Sequence, residues 1–120
     1  MIQATTSIRV FAVYLVILGA TLVAAPDLVL WPFGIPPSPE AWIRVVGVLA
    51  AVLGLYYFVA ARFELVPFYR ATVVGRIFVF LSFAALALFG FAPPSLALFG
   101  AVDLAGAGWT ALGLRTPDSV

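Results

Sequence analysis

Four nearly uncharged runs, each of about 20 residues, divide this chain and leave it very few possible folds. A hydrocarbon core of ~30 Å takes about 20 apolar residues at a helical rise of ~1.5 Å each. The stretches 8–25, 41–61, 71–90 and 95–114 all meet that length. In lipid every backbone polar group needs an internal partner, so a spanning segment is a helix or a strand of a closed barrel. Runs this long and uninterrupted are helices. The expected fold is all-α: an integral membrane four-helix transmembrane bundle, one domain covering residues 1–120. Composition agrees, with 65% hydrophobic residues, 9% charged and a mean hydropathy of +1.21. Soluble domains carry ~25% charged residues, so this chain cannot clothe a water-facing surface.

Breakers and charges set the ends of the runs. Pro26 ends the first, and Gly90 with Pro93 and Pro94 ends the third. Arg9 followed by the apolar 10–25 also reads like a signal peptide. Its best cleavage site, Val23-Ala24-Ala25, is followed by an unfavourable Pro26, so the segment is expected to stay as the first helix. All six basic residues are arginine. With the abundant Ala, Gly, Val and Leu, this matches the bias of GC-rich bacterial genes. Arg9, Arg62, Arg70 and Arg115 gather at one set of helix ends, with Arg76 just inside that boundary and only Arg44 at the other. Arginine-rich ends stay inside. The expectation is therefore a bacterial inner (cytoplasmic) membrane protein with both termini and the 62–70 connection in the cytoplasm. Trp31 and Trp42 then mark the outer interface and Tyr69 the inner one as aromatic anchors.

The two halves resemble each other. Arg9-Val10-Phe11-Ala12 reads like Arg76-Ile77-Phe78-Val79, and Gly47 precedes Arg62 by the same fifteen residues that separate Gly100 from Arg115. Tyr56 and Trp109 share an offset. This describes two parallel helical-hairpin repeats, or a short coincidence within a biased composition.

Lipid gives helices no hydrophobic reason to associate, so small residues must let them approach. Arg44, Gly47, Ala51 and Gly54 recur on one face of the second span, and Asp103, Gly106, Thr110 and Gly113 recur with the same spacing on the fourth. These are the expected helix-packing faces, or alternatively the walls of a ligand cleft. Asp103 is the charge in the middle of its run, where a carboxylate costs roughly 2.5–3.5 kcal/mol on insertion scales. Counting helical rise leaves roughly 10 Å of depth between Asp103 and Arg76, within reach of a long guanidinium and some tilt. The expected intramembrane ion pair is Asp103–Arg76, with Arg44 as the second candidate or free to snorkel outward. Such a pair is a structural staple or a functional site.

The outer segment 26–40 is rich in proline yet apolar, with Leu28, Leu30, Trp31, Phe33 and Ile35. That composition suits the headgroup zone or a cap over the bundle mouth better than a disordered linker. Ser38 reads as the N-cap of the second span, with Pro39 and Glu40 in its first turn. Phe80 and Phe83 share a face of the third span, suited to packing, to lipid, or to a flat apolar ligand.

Chemistry is sparse. No cysteine or histidine is present, which removes disulfides, thiolate nucleophiles, ordinary zinc sites and His- or Cys-ligated haem. No phosphate loop, triad or paired-carboxylate motif appears, and Asp27, Glu40, Glu64, Asp103 and Asp118 are scattered. The expectation is a chain without catalytic, metal or cofactor sites, leaning against an enzyme. A net charge of +1 gives no nucleic-acid footprint.

The run from Arg44-Val45-Val46-Gly47 through Gly54 to Ala60-Ala61-Arg62 resembles the second helix of the DoxX-like group of small four-helix bacterial membrane proteins. Arg76 early in the third helix, and a small-residue fourth helix ending at Arg115, look similar. The resemblance implies a four-helix membrane bundle loosely associated with oxidoreductase systems, and transfers no catalytic residue. The expected function is an accessory, assembly or stabilising subunit of a larger membrane complex, contacting lipid and other subunits or itself. The alternatives are a binder or transporter of a lipophilic molecule (lipid, quinone or pigment) and a homo-oligomeric ion or proton channel.

Overall fold

A computed structural model of the protein describes residues 2–34 and 41–115, with the side chain of Phe33 outside that description. Every regular element among the described residues is helical. Helix α1 spans Ile2–Ala24, the one-turn α2 spans Asp27–Leu30, and a 3-10 turn covers Trp31–Phe33. Helices α3 (Trp42–Arg62), α4 (Val66–Leu88) and α5 (Leu96–Arg115) follow. The four long helices are each long and apolar enough to cross a membrane, which makes this a multi-pass membrane protein. Ser38, Pro39 and Glu40, read above as the entry to the second span, lie outside the described residues.

Turn chemistry explains two of the helix ends. After α4, Phe91 N–H reaches back to Leu86 C=O and Gly90 N–H to Ala87 C=O, with Gly90 at φ +79°. This is a Schellman closure, in which a left-handed residue satisfies the last carbonyls. The same pattern closes α3, with Leu65 N–H bonded to Ala60 C=O and Glu64 N–H to Ala61 C=O. There the left-handed position is filled by Glu64 at φ +49°. Pro67 then falls in the first turn of α4, where a missing N–H costs nothing.

α1 is the central helix. It packs along α3 and meets α5, α4 packs along α5, and α3 and α4 hardly touch. Each pairing runs antiparallel. Gly19 faces Gly47 and Ala51 while Gly54 faces Ala12 and Val16. Gly113 faces Ala4 while Gly106 faces Phe11. Arg76 meets Thr110 while Gly100 faces Phe80 and Phe83. Hence α1 runs parallel to α4 and α3 parallel to α5, the directions two parallel hairpins require. The registers of the hairpins differ, however. Counted from the Arg9–Arg76 match, Gly19 and Leu22 of α1 correspond to Leu86 and Phe89. Yet Gly47 packs on Gly19 and Leu22, whereas its counterpart Gly100 packs on Phe80 and Phe83. Arg9 is exposed and Arg76 buried.

The core lies toward the end that carries the α3–α4 turn. Ala4, Ile8, Phe11, Ala12 and Leu15 of α1 pack with Tyr57, Ala60 and Ala61 of α3 and Tyr69 of α4. The buried residues of α4 are Tyr69, Thr72 and Arg76, all in its first half. Beyond Arg76 no described residue of α4 is buried, so the hairpins interlock at one end and share little cover toward the other.

Candidate functional site

The polar residues of the core form a single cluster around Arg76, which is 3% exposed. Its Nε donates to Thr72 C=O at 3.2 Å, and its Nη2 donates to Thr72 Oγ1 at 3.0 Å and Thr110 Oγ1 at 2.8 Å. A hydroxyl has one proton to give, and this fixes the direction of the rest. Ser7 Oγ donates to Ala4 C=O at 2.6 Å. The 2.7 Å bond between Ser7 and Thr110 is therefore donated by Thr110. Thr72 Oγ1 likewise donates to Tyr69 C=O at 2.7 Å. The result is a one-way chain from Arg76 through Thr110 and Ser7 to the α1 backbone. A second branch ties Thr5 Oγ1 to Tyr69 Oη at 2.9 Å, and Tyr69 Oη to Ala60 C=O at 3.4 Å. Together they stitch α1, α3, α4 and α5.

Aromatic rings enclose the guanidinium. Arg76 Cζ lies 4.8 Å from the Phe11 ring centre and 5.8 Å from that of Tyr57. Phe11 and Tyr57 themselves stand 5.6 Å apart, and Phe68 meets Tyr57 edge-on at 5.4 Å. A desolvated cation over an aromatic face gains ~2 kcal/mol, which offsets part of the cost of burying the charge. Gly106 makes room for this packing, since a Cβ there would stand 2.9 Å from Arg76 Nη1 and 3.0 Å from Phe11 Cδ2. Nη1 itself is buried and has no hydrogen-bond partner among the described residues.

Asp103 is placed differently from the expected ion pair. It shares the inward side of α5 with Gly100, Ala107 and Thr110, is half-buried, and interacts electrostatically with Arg76. The hydrogen bonds of Arg76 nevertheless go to Thr72 and Thr110, not to the carboxylate. The reason is register. Thr110 reaches Nη2, and Asp103 sits two turns of α5 farther along, roughly 10 Å by helical rise. Arg44 is exposed and donates to Val23 C=O, capping a carbonyl near the C-terminus of α1 rather than approaching Asp103. Tyr69, read as an interfacial anchor, is fully buried because Thr5 and the Ala60 carbonyl offer its hydroxyl partners inside the core.

The small-residue faces meet named neighbours. Gly47 and Gly54 lie against α1, Ala51 lies against Gly19, Gly106 against Phe11 and Arg76, and Gly113 against Ala4. Thr110 belongs to the hydrogen-bond chain. Trp31 and Trp42 are exposed at the opposite end from the core, and Leu30, next to Trp31 in sequence, is buried. Sequence reasoning passed over Thr5, Ser7 and Thr72. The signal for the first two was the polar run Thr5-Thr6-Ser7 just ahead of an apolar span, which reads as a boundary unless the helix starts earlier. It does, at Ile2.

Between α1 and α5 the surface carries a cleft of about 310 Å³, lined by Val10, Phe11, Tyr14, Val102, Gly106 and Trp109 among others. It is almost wholly apolar. No group of His, Cys, Asp or Glu among the described residues could hold a metal ion. No protein-family model, no curated protein and no solved structure matches the chain.

Proposed function

We propose that this protein is a non-catalytic subunit of a larger complex in the bacterial inner membrane, accessory to or stabilising a partner, with both termini in the cytoplasm. The observation that carries this reading is Gly108. Every glycine that mediates a contact in this fold has a neighbour in the space a Cβ would take, as Gly19, Gly47, Gly54 and Gly113 do. A Cβ on Gly108 would meet nothing within 4 Å. A helical glycine costs roughly 1 kcal/mol relative to alanine, and Gly108 returns no internal contact for that cost. With Ala101 and Ala105 it forms an exposed small-residue stripe on the lipid side of α5, the kind of surface that admits another transmembrane helix. The absence of His and Cys from the sequence and the resemblance to DoxX-like proteins point the same way.

The test is purification in mild detergent at native expression, with crosslinking and mass spectrometry of what accompanies the protein. The expected outcome is a stoichiometric membrane partner crosslinked to α5, lost on Gly108→Leu while helical content is unchanged. A protein that purifies alone, or whose partner is indifferent to Gly108→Leu, overturns the subunit reading. Crosslinks only between copies of this chain would replace it with a homo-oligomer.

A further inference from the structure

The neighbours of Arg76 serve only part of its guanidinium. Arg76 Nη1 is a buried, charged N–H without an acceptor among the described residues. Asp103 is half-buried and acts on Arg76 through its charge, while the hydrogen bonds of the guanidinium go to Thr72 and Thr110. Leaving a buried charged donor unpaired is among the costlier errors a fold can contain. The two charges nonetheless act on each other electrostatically. Nη1 lies beside Gly106, and Asp103 is three residues from Gly106 on the same helix, roughly 4.5 Å along the axis. Two hydrogen bonds in series through one oxygen span about 5–6 Å.

We infer that Arg76 and Asp103 together form a binding site for one hydroxyl oxygen, which accepts from Arg76 Nη1 and donates to Asp103. The chemistry of the site selects that group. A guanidinium can only donate and an ionised carboxylate can only accept, so the occupant must do both through one small atom. A carboxylate or phosphate would satisfy Arg76 but repel Asp103, and an ammonium would do the reverse. Water and the hydroxyl head of an apolar molecule both supply the required O–H. The adjoining cleft offers such a molecule a place for its body, since Phe11 and Gly106 form its wall and also touch the guanidinium. The cleft shares Ala105 with the partner-facing stripe of α5, whereas Arg76 and Asp103 lie outside that stripe.

Asp103→Leu separates this inference from loss of fold, because it removes a carboxylate from an apolar span and is expected to preserve helical content. The wild type, Asp103→Leu and Arg76→Gln would be reconstituted in lipid nanodiscs. Infrared spectra taken in ordinary and oxygen-18 water would report a bound water. Organic extraction with mass spectrometry would report a retained alcohol or phenol. The expected result is one of two signatures in the wild type: a strongly hydrogen-bonded O–H band that shifts with oxygen-18, or a stoichiometric hydroxyl compound. Asp103→Leu is expected to abolish it. The first signature assigns the oxygen to water and the second to a lipophile. Neither signature in the wild type, or one that survives Asp103→Leu, overturns the site.

Discussion

Thr110 carries the junction between a buried cation and the central helix. Its hydroxyl accepts from Arg76 and donates to Ser7, so replacing it with valine takes one partner from each of two groups at nearly constant volume. Arg76 would lose one of its two acceptors on Nη2, and Ser7 would lose its donor while still bonding Ala4 C=O. Stranding a buried charged donor costs ~1–3 kcal/mol. Thr110→Val is expected to lower stability by about that much, measured by unfolding in mixed micelles. Ser7→Ala removes a neutral partner only and is expected to cost about 1 kcal/mol. An equal cost for the two would show that the charge on Arg76 is not what Thr110 serves. None of this pairing was legible in the sequence. Arg76 and Asp103 stood out as charges in apolar runs, but which hydroxyl Arg76 reaches depends on how α4 and α5 are rotated against each other.

Helix ends and helix faces have their own arithmetic. Glu64 occupies the left-handed position that glycine fills after α4, and a non-glycine residue there costs roughly 1–2 kcal/mol. Glu64→Gly is expected to raise the unfolding midpoint, corresponding to somewhat under that amount because glycine also adds freedom to the unfolded chain. Faces are separated by a pair of alanine substitutions on α5. Gly113→Ala would press a methyl to within 2.5 Å of the Ala4 backbone nitrogen, forcing α1 and α5 apart. Overpacking of this kind costs ~1–3 kcal/mol. Gly108→Ala points into open space and is expected to stabilise the isolated protein by roughly 0.5–1 kcal/mol, the helix-propensity gain. Thermal unfolding of both variants in detergent checks the sign. The recurrence of small residues was readable along each helix, since spacing is local. That Gly113 is filled against and Gly108 is open was not, because the rotation of α5 about its own axis decides which of them meets a neighbour.

At the scale of the whole molecule, the antiparallel pairings place the α3–α4 turn and the α4–α5 connection at opposite ends. Arginines are concentrated at the first of these ends, which faces the cytoplasm in the proposed orientation. Since the chain has no cysteine, single cysteines report topology without background. Phe91→Cys is expected to react with a membrane-impermeant thiol reagent on spheroplasts. Glu64→Cys is expected to react only after permeabilisation. The reverse pattern would invert the orientation.

Length, apolarity and the placement of breakers determined, from the sequence alone, that four helices cross the membrane and roughly where each one stops. Those properties are local: a backbone in lipid must bond to itself, and about 20 apolar residues are what a bilayer requires. The tertiary structure alone decided which helices touch, that α1 is central, and that the two hairpins pack in different registers despite similar residues. It also decided that Arg76 is served by Thr72 and Thr110 while Asp103 stands one step away. Those outcomes turn on the rotation and offset of neighbouring helices, set by close contacts at a few small residues that no single-helix pattern encodes.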